Sequence, residues 1–158
     1  EAARASFTAD TGAVLGAVLR SYRDQVAVAG ADLDALPTSE VDPDDLAFVF
    51  ENLVGNAARA MAGQDDRTLS ITWACRDDHL TIAFADRGPG VPPELRTRIF
   101  EEGFSTAGSS GIGLFRSRQF LRRFGGDLVH DEARTEPGAR FVVSLRRRGP
   151  AVRDRASA

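Results

Sequence analysis

The chain has 158 residues, of which 42% are hydrophobic and 27% are charged, with a formal net charge of −3 at pH 7. That length and apolar content suit a single domain with an ordinary core, and the acidic balance argues against a general nucleic-acid-binding protein. Cys75 is the single cysteine, so no internal disulfide forms. The N-terminal residues lack a secretory signal, and no apolar run reaches transmembrane length. The sequence therefore predicts a cytoplasmic domain that contacts neither nucleic acid nor membrane, whatever membrane anchor a longer parent protein carries.

Helix signals dominate the first part of the chain. Asp10 is placed to cap a helix over residues 11–29, in which apolar residues recur at helical spacing. Residues 31–36 alternate in polarity as a short strand does. Asp42, followed by a proline at the first helical position, is a second predicted N-cap, and its helix runs to Gly63. The predicted order here is helix, strand, helix.

Hairpins and helices alternate in the rest of the chain. The predicted elements are strands 68–75 and 79–85, a short helix 93–100, a Gly- and Ser-rich loop 101–110, a helix 111–124, and strands 127–133 and 139–145. Helices on one face of a mixed, mainly antiparallel sheet give an α+β fold, a two-layer α/β sandwich. We expect one domain over 1–147, followed by a polar, disordered tail over 148–158.

Three polar residues form a stripe on the second predicted helix. Asn52, Asn56 and Arg59 are spaced i, i+4 and i+7, so they share one side of the helix, away from its apolar face. A neutral oxygen can complete the coordination of Mg²⁺ beside phosphate oxygens and water, and arginine pairs with phosphate oxygens. Glu51, about 100° around the helix from Asn52, is a candidate for ordering a water. A solvent-facing helix surface would show the same residues, and the stripe taken alone favours that interpretation.

Asp86 ends a predicted strand and precedes two glycines, Gly88 and Gly90. A carboxylate held there can accept a hydrogen bond from an exocyclic amine such as adenine N6. Glycine backbone can approach a flat ring because glycine has no Cβ. An ordinary Asp-Gly turn without a ligand has the same sequence, so this segment leaves both interpretations open.

A second glycine cluster lies at the predicted start of the helix over 111–124. Ser110, Gly111, Ile112 and Gly113 would present free N–H groups at the positive end of the helix dipole, where phosphate binds. Ser110 by itself is better explained as an N-cap. The chain contains neither G-x-x-x-x-G-K-[ST] nor a G-x-G-x-x-G between a strand and a helix, so two common nucleotide-binding loops are excluded.

Taken in this order, these segments resemble the GHKL ATPase superfamily, which includes gyrase, Hsp90, histidine kinases and MutL. They are most similar to the catalytic ATP-binding domain of bacterial sensor histidine kinases. Four segments carry the resemblance: 51–59 to the N box, 86–90 to the D-x-G-x-G box, 99–106 to the F box, and 110–114 to the second glycine box. The resemblance implies the Bergerat fold, with Mg-ATP as the ligand.

The resemblance also implies a role for each matching residue. Asn56 would coordinate Mg²⁺, and Asn52 and Arg59 would act at the phosphates. Asp86 would bind adenine N6. The other predicted binding residues would line the pocket or belong to a lid over 100–110, and they are Gly88, Gly90, Phe100, Phe104, Ser110, Gly111, Ile112, Gly113 and Leu114.

The chain departs from a complete kinase because it lacks the family's phosphoacceptor segment, a His-Glu followed by basic and Thr-Pro residues. Neither His79 nor His130 resembles that segment, and both are predicted to be structural or surface residues. Asn52 stands where gyrase-like and Hsp90-like members carry a hydrolytic glutamate. These departures predict a domain that presents the γ-phosphate to a histidine on a separate dimerisation domain, with a response regulator downstream.

Two other functions are compatible with the same boxes. An anti-sigma-type serine kinase shares the fold and would place the phosphate on a serine of a partner. A nucleotide-responsive binding module would signal through its lid without phosphate transfer, although the intact boxes disfavour a site that has lost its chemistry.

Overall fold

The computed structural model of the protein describes residues 6–104, 113–133 and 136–148. Within these ranges there are three α-helices: α1 (Thr11–Ser21), α2 (Pro43–Ala60) and α3 (Gly113–Arg123). There are five strands: β1 (Ala27–Ala29), β2 (Thr68–Arg76), β3 (His79–Ala85), β4 (Asp127–His130) and β5 (Arg140–Arg146). Two 3₁₀ turns, Leu33–Ala35 and Pro93–Leu95, lie in the connections.

The five strands form one mixed sheet in the order β1-β2-β3-β5-β4. β1 runs parallel to β2, and the other three pairings are antiparallel. The β2–β3 hairpin pairs Arg76 with His79 across a two-residue turn in which Asp77 has a φ of +54°. β5 then lies between β3 and β4, so the C-terminal strands complete the sheet.

One face of the sheet is buried, and the other is more exposed and includes Val28 and Val129. The buried strand residues alternate along each strand, as the pleat requires, and they are Leu69, Ile71, Trp73, Leu80, Ile82, Phe84, Leu128, Phe141, Val143 and Leu145. These side chains join the apolar residues of the three helices in one core cluster. The observed architecture is the α+β two-layer sandwich that the sequence predicts, and that prediction is confirmed.

Local signals place α2, the helix that carries the polar stripe. The Asp42 carboxylate accepts from the N–H of Asp44, and Pro43 occupies the first turn, where its missing N–H costs no hydrogen bond. Eight residues of the helix are buried: Leu46, Val49, Phe50, Leu53, Val54, Gly55, Ala57 and Ala58. Packing of this face against the sheet fixes the rotation of the helix, so the side with Asn52 and Asn56 does not pack in the core.

The predicted first helix, 11–29, is too long, and the strand predicted over 31–36 is misplaced. α1 ends at Ser21, where the N–H of the C-cap residue Tyr22 bonds to the carbonyl of Leu19. Residues 27–29, which belong to the predicted helix, instead form β1 and pair with β2, more than forty residues further along the chain. A local sequence pattern does not show that pairing. The helical periodicity of the preceding residues therefore led to a predicted helix that includes β1.

Other element boundaries shift by a few residues. The short helix predicted over 93–100 is a 3₁₀ turn at Pro93–Leu95 followed by turns, and the strand predicted over 127–133 ends at His130. Of the tail predicted over 148–158, the structure describes Arg148 alone. Arg148 donates from its backbone to the Thr38 carbonyl and from its guanidinium to the hydroxyls of Ser6 and Thr8. Residues 149–158 lie outside the described ranges.

Candidate functional site

A cavity of about 320 Å³ opens between α2, the loop after β3 and the start of α3. This volume lies in the range of small-molecule sites. The stripe on α2 contributes Asn52, Asn56 and Arg59 to its wall. The remaining predicted residues that line it are Asp86, Gly90, Phe104, Gly113 and Leu114. Segments that are far apart in the sequence therefore meet at one cavity.

Backbone geometry gives the length of the cavity along α2. At one end Ala60 contacts Gly88 in the loop after β3, and at the other end Asn52 contacts Gly113 at the start of α3. Eight residues separate Asn52 from Ala60, which is about 12 Å of helix rise. The cavity wall therefore has room for an extended ligand, with one end at the Asp86 loop and the other at α3.

Asn56 and Arg59 are joined at the middle of the stripe. The Arg59 guanidinium donates through Nη2 to Asn56 Oδ1, at a spacing of three residues on the helix. Both side chains line the cavity. The Asn56 oxygen that the sequence assigns to a metal is thus in contact with a cation of the protein itself.

Asn52 carries a buried donor at the α3 end of the cavity. Its Nδ2 is buried and has no hydrogen-bond partner within the described residues. A Cβ on Gly113 would overlap Asn52 Oδ1, so the helix start reaches this carboxamide only because residue 113 is glycine. Ser110, Gly111 and Ile112, predicted to bind phosphate beside it, lie outside the described residues.

Asp86 is 6% exposed, and its carboxylate shapes the loop that follows it. Its Oδ1 accepts from the backbone N–H groups of Gly88, at 2.9 Å, and Ala139, at 3.0 Å. Two N–H donors offset the cost of burying a charged carboxylate. Because Ala139 directly precedes β5, these bonds tie the loop after β3 to the neighbouring strand and set the carboxylate in the cavity wall.

Packing and backbone conformation explain the two glycines after Asp86, whereas the sequence predicted that they let the backbone approach a flat ring. A Cβ on Gly88 would lie 2.8 Å from the Ala60 Cβ, so this glycine lets the loop pack against α2, and it is not part of the cavity wall. Gly90 has a φ of +77°, which favours glycine, and it packs against the carbonyl of Gly138. Of these two residues, Gly90 alone lines the cavity.

The two phenylalanines of the segment before residue 105 lie in different places. Phe104 lines the cavity, with the Arg98 guanidinium 5.0 Å from its ring centroid. Phe100 packs edge-on against Phe141 behind the wall, and the Arg118 guanidinium of α3 lies 3.8 Å from the Phe100 centroid. Phe100 therefore supports the site without lining it, and the predicted lid from 105 to 110 lies outside the described residues.

Glu51 does not line the cavity. It is exposed, and its charge acts on the hydroxyl of Tyr22 at the end of α1. Burial, and then the Glu51 charge, raise the pKa of Tyr22 above its ordinary value. The structure therefore separates Glu51 from the stripe, as the helical angle of about 100° indicates.

Sequence reasoning missed the apolar wall of the cavity. Five further residues give it a surface suited to a flat ring, and they are Val91, Pro92, Leu95, Ile99 and Phe141. The Pro-Pro pair and the apolar residues that follow Gly90 in the sequence weakly indicate a wall at Val91, Pro92, Leu95 and Ile99. Phe141 gives no such signal, because only the pairing of β5 with β3 brings it to the site.

Neither histidine is part of the site. His79 is exposed and contacts the carboxylate of Asp78 at 2.7 Å. His130 lies on β4 with its ring 5.3 Å from the Phe141 ring, centroid to centroid, and burial lowers the pKa of its imidazole. Their positions agree with the structural and surface roles that the sequence predicts.

The described residues offer no group of three or more His, Cys, Asp or Glu side chains that could hold a metal ion. Any metal at the cavity would therefore depend on carboxamide oxygens, the ligand and water. Among the same residues, no helix has the length and apolar content needed to cross a bilayer.

Comparison with known proteins agrees with this geometry. The pattern of the family described as histidine kinase-, DNA gyrase B- and HSP90-like ATPase matches residues 41–149. The sensor protein CitS of Halalkalibacterium halodurans is 30% identical over 142 residues, which are 83% of this chain and 26% of CitS. The chain thus spans about a quarter of the length of this curated relative.

Solved structures show the same fold. A mycobacterial sensor histidine kinase, MprB, has a TM-score of 0.71 and 25% identity over 89% of this chain and 97% of that chain. Full-length ShkA, solved in complex with AMPPNP, has a TM-score of 0.71 and 25% identity over 90% of this chain and 31% of that chain.

These matches confirm the resemblance that the four sequence boxes carry. The family match covers more than half of the chain, including α2, the Asp86 loop and α3. The chain therefore belongs to the histidine kinase-, DNA gyrase B- and HSP90-like ATPase family, and within it is an ATPase domain of the sensor histidine kinase type.

Proposed function

We propose that this domain binds Mg-ATP in the cavity and presents the γ-phosphate to a histidine on a separate dimerisation domain. The main support is the convergence of the Asn52–Arg59 stripe, the Asp86 loop and the start of α3 on one cavity. Membership of an ATPase family, and the AMPPNP complex of the similar ShkA, support an adenine nucleotide as the ligand.

The chemistry of the wall supports one orientation of the nucleotide. The adenine belongs at the Asp86 end, where a buried carboxylate accepts from an exocyclic amine and apolar residues such as Ile99 and Phe141 cover a flat ring. The phosphates belong toward α3, about 12 Å away along α2. There Asn52 Nδ2 is a buried donor without an acceptor in the described part of the chain, and a phosphate oxygen would supply one.

The residues present fit Mg²⁺ as a partner of the phosphates. Mg²⁺ keeps several waters and takes few protein ligands when it binds with a nucleotide, which suits a wall whose described residues form no acidic cluster. Asn56 Oδ1 is the oxygen proposed to hold it. When bound, Mg²⁺ neutralises phosphate charge, so positioning and charge make up most of the catalytic contribution.

The chain's own residues then orient the ATP for transfer. Arg59 pairs with phosphate oxygens, and Asn52 donates to them from its buried amide. A carboxamide cannot take a proton from water at neutral pH, and Glu51 does not line the cavity. The site therefore favours transfer to an incoming nucleophile over hydrolysis.

The partners proposed here follow from the sensor-kinase relatives. A dimerisation domain supplies the phosphoacceptor histidine, in the same chain or in another, and a response regulator receives the phosphate from it. The domain acts in the cytoplasm, where ATP is available.

Incubation with γ-labelled ATP tests the proposal. We expect no label on this chain alone and only slow hydrolysis, because neither histidine lies at the cavity. After addition of a histidine-bearing dimerisation domain, we expect acid-labile label on that domain. Label on this chain would contradict the proposal, and acid-stable label on a partner serine would support a serine kinase instead.

A further inference from the structure

Tyr22 contacts the nucleotide-site helix although it precedes the family match at 41–149. As the C-cap of α1, it is held by its own N–H bond to Leu19, while its carbonyl accepts from Gln25 and Val26. Its phenol lies across α2 at Gly55, where an added Cβ would be 2.9 Å from the hydroxyl oxygen. The close approach of α1 to α2 thus depends on a helical glycine, and it brings one hydroxyl to the edge of the polar stripe.

The hydroxyl of Tyr22 lies near two charged side chains of α2. Burial raises the pKa of Tyr22, and so does the charge of Glu51, one turn before Gly55, while the charge of Arg59, one turn after, lowers it. Arg59 folds back toward the same point, since its Nη1 would lie 3.6 Å from a Gly55 Cβ. The Tyr22 hydroxyl and the Arg59 guanidinium therefore meet over Gly55.

Arg59 has competing tasks in this arrangement. Its Nη2 donates to Asn56 Oδ1, the oxygen proposed to hold Mg²⁺. A guanidinium and a divalent cation repel each other at one oxygen, so Arg59 would have to leave Asn56 if that oxygen held Mg²⁺. Without a second support, the freed side chain would lose its orientation, because arginine has several rotatable bonds and high rotamer entropy.

We propose that Tyr22 is a positioning residue: its hydroxyl would hold the Arg59 guanidinium over Gly55, within reach of the terminal phosphate, when Asn56 Oδ1 is engaged by Mg-ATP. This inference rests on the proposed Mg-ATP function and adds a residue from α1 to that site.

Paired measurements of nucleotide affinity test the role of the hydroxyl. Tyr22→Phe keeps the ring and removes one hydrogen bond, so we expect the Kd for Mg-AMPPNP to rise about threefold to tenfold. The Kd for Mg-ADP should change less than about twofold, because ADP lacks the terminal phosphate that Arg59 meets. The midpoint of thermal unfolding without nucleotide should not change, since Glu51 stays solvated. Ser21→Ala, which removes a neighbouring exposed hydroxyl, is the matched control and should change neither Kd.

Two further variants separate positioning from structure. In an Arg59→Ala background, Tyr22→Phe should have no further effect on the Kd for AMPPNP, because the residue that it positions is gone. Gly55→Ala should reproduce the selective loss for AMPPNP by pushing the phenol aside. Equal losses for AMPPNP and ADP, an undiminished effect without Arg59, or an unchanged Kd in Tyr22→Phe would each overturn the inference. If the unaltered chain binds no AMPPNP at all, the proposed function itself fails.

Discussion

At the scale of single residues, Asp86 combines a structural and a proposed binding role. Its Oδ1 accepts from Gly88 and Ala139, and these bonds hold the loop against β5. The same buried carboxylate lies in the cavity wall. A substitution at this position must therefore keep the backbone bonds if it is to report on the ligand alone.

Asp86→Asn meets that condition. An asparagine oxygen at the Oδ1 position keeps both backbone bonds and places an NH₂ group at the other carboxylate position, where it cannot accept from adenine N6. We expect the fold to survive and AMPPNP binding to weaken by about 1–3 kcal/mol, roughly a fivefold to hundredfold rise in Kd. Titration calorimetry and circular dichroism measure the two effects. Asp78→Asn, at an exposed turn, is the control, and near-normal affinity in Asp86→Asn would place the base elsewhere.

At the scale of elements, the start of α3 abuts α2 at one glycine. Gly113 touches the Asn52 carboxamide so closely that a Cβ would overlap it. The phosphate end of the cavity is therefore defined by the distance between two helices, and that distance is set by their packing on the sheet.

Gly113→Ala tests this contact between helices. The added methyl group must displace Asn52 or push α3 outward, and overpacking of this kind costs about 1–3 kcal/mol. We expect a lower midpoint of thermal unfolding together with weaker AMPPNP binding. Gly16→Ala in α1 is the matched control, because its Cβ would meet only the mobile end of Arg20. That variant should be stabilised by about 0.4–1 kcal/mol, and equal behaviour of the two variants would contradict the assigned contact.

At the scale of the whole molecule, β4 and β5 close the sheet behind the cavity and bring a histidine into the fold. His130 packs on Phe141, which lines the cavity, and its Nδ1 has no hydrogen-bond partner within the described residues. Burial, followed by the Arg96 charge, lowers the pKa of this imidazole below its ordinary value. Protonation of His130 therefore opposes folding.

This shift predicts that stability depends on pH. The unfolded chain takes up a proton at His130 near pH 6.5, while the folded chain takes it up only at lower pH. The stabilising contribution is therefore present above about pH 6.5 and is lost as the pH falls through the folded value. Urea unfolding at pH 7.5 and pH 5.5 should show a smaller loss of stability in His130→Phe than in the unaltered chain. Equal losses would show that His130 is not responsible.

Local sequence patterns predicted much of the fold because their causes are local. The Asp42 cap, the proline after it and the apolar face of α2 act within one helix, and the hairpin of β2 and β3 alternates visibly. The first helix was predicted too long because β1 is defined by its pairing with β2, a partner distant in sequence. Periodicity within a window cannot detect such a partner.

The sequence by itself determined the family, the α+β class and which residues are candidates for the site, since the four boxes and their order lie within the chain. Only the tertiary structure decided what several of those residues do. Gly88 packs against Ala60, Phe100 packs against Phe141 behind the wall, and Glu51 lies outside the cavity wall. The physical reason is that a glycine or a carboxylate acts on whatever the fold places within a few ångströms of it. In this fold those neighbours include residues of α1 and β5, which lie far apart in the sequence.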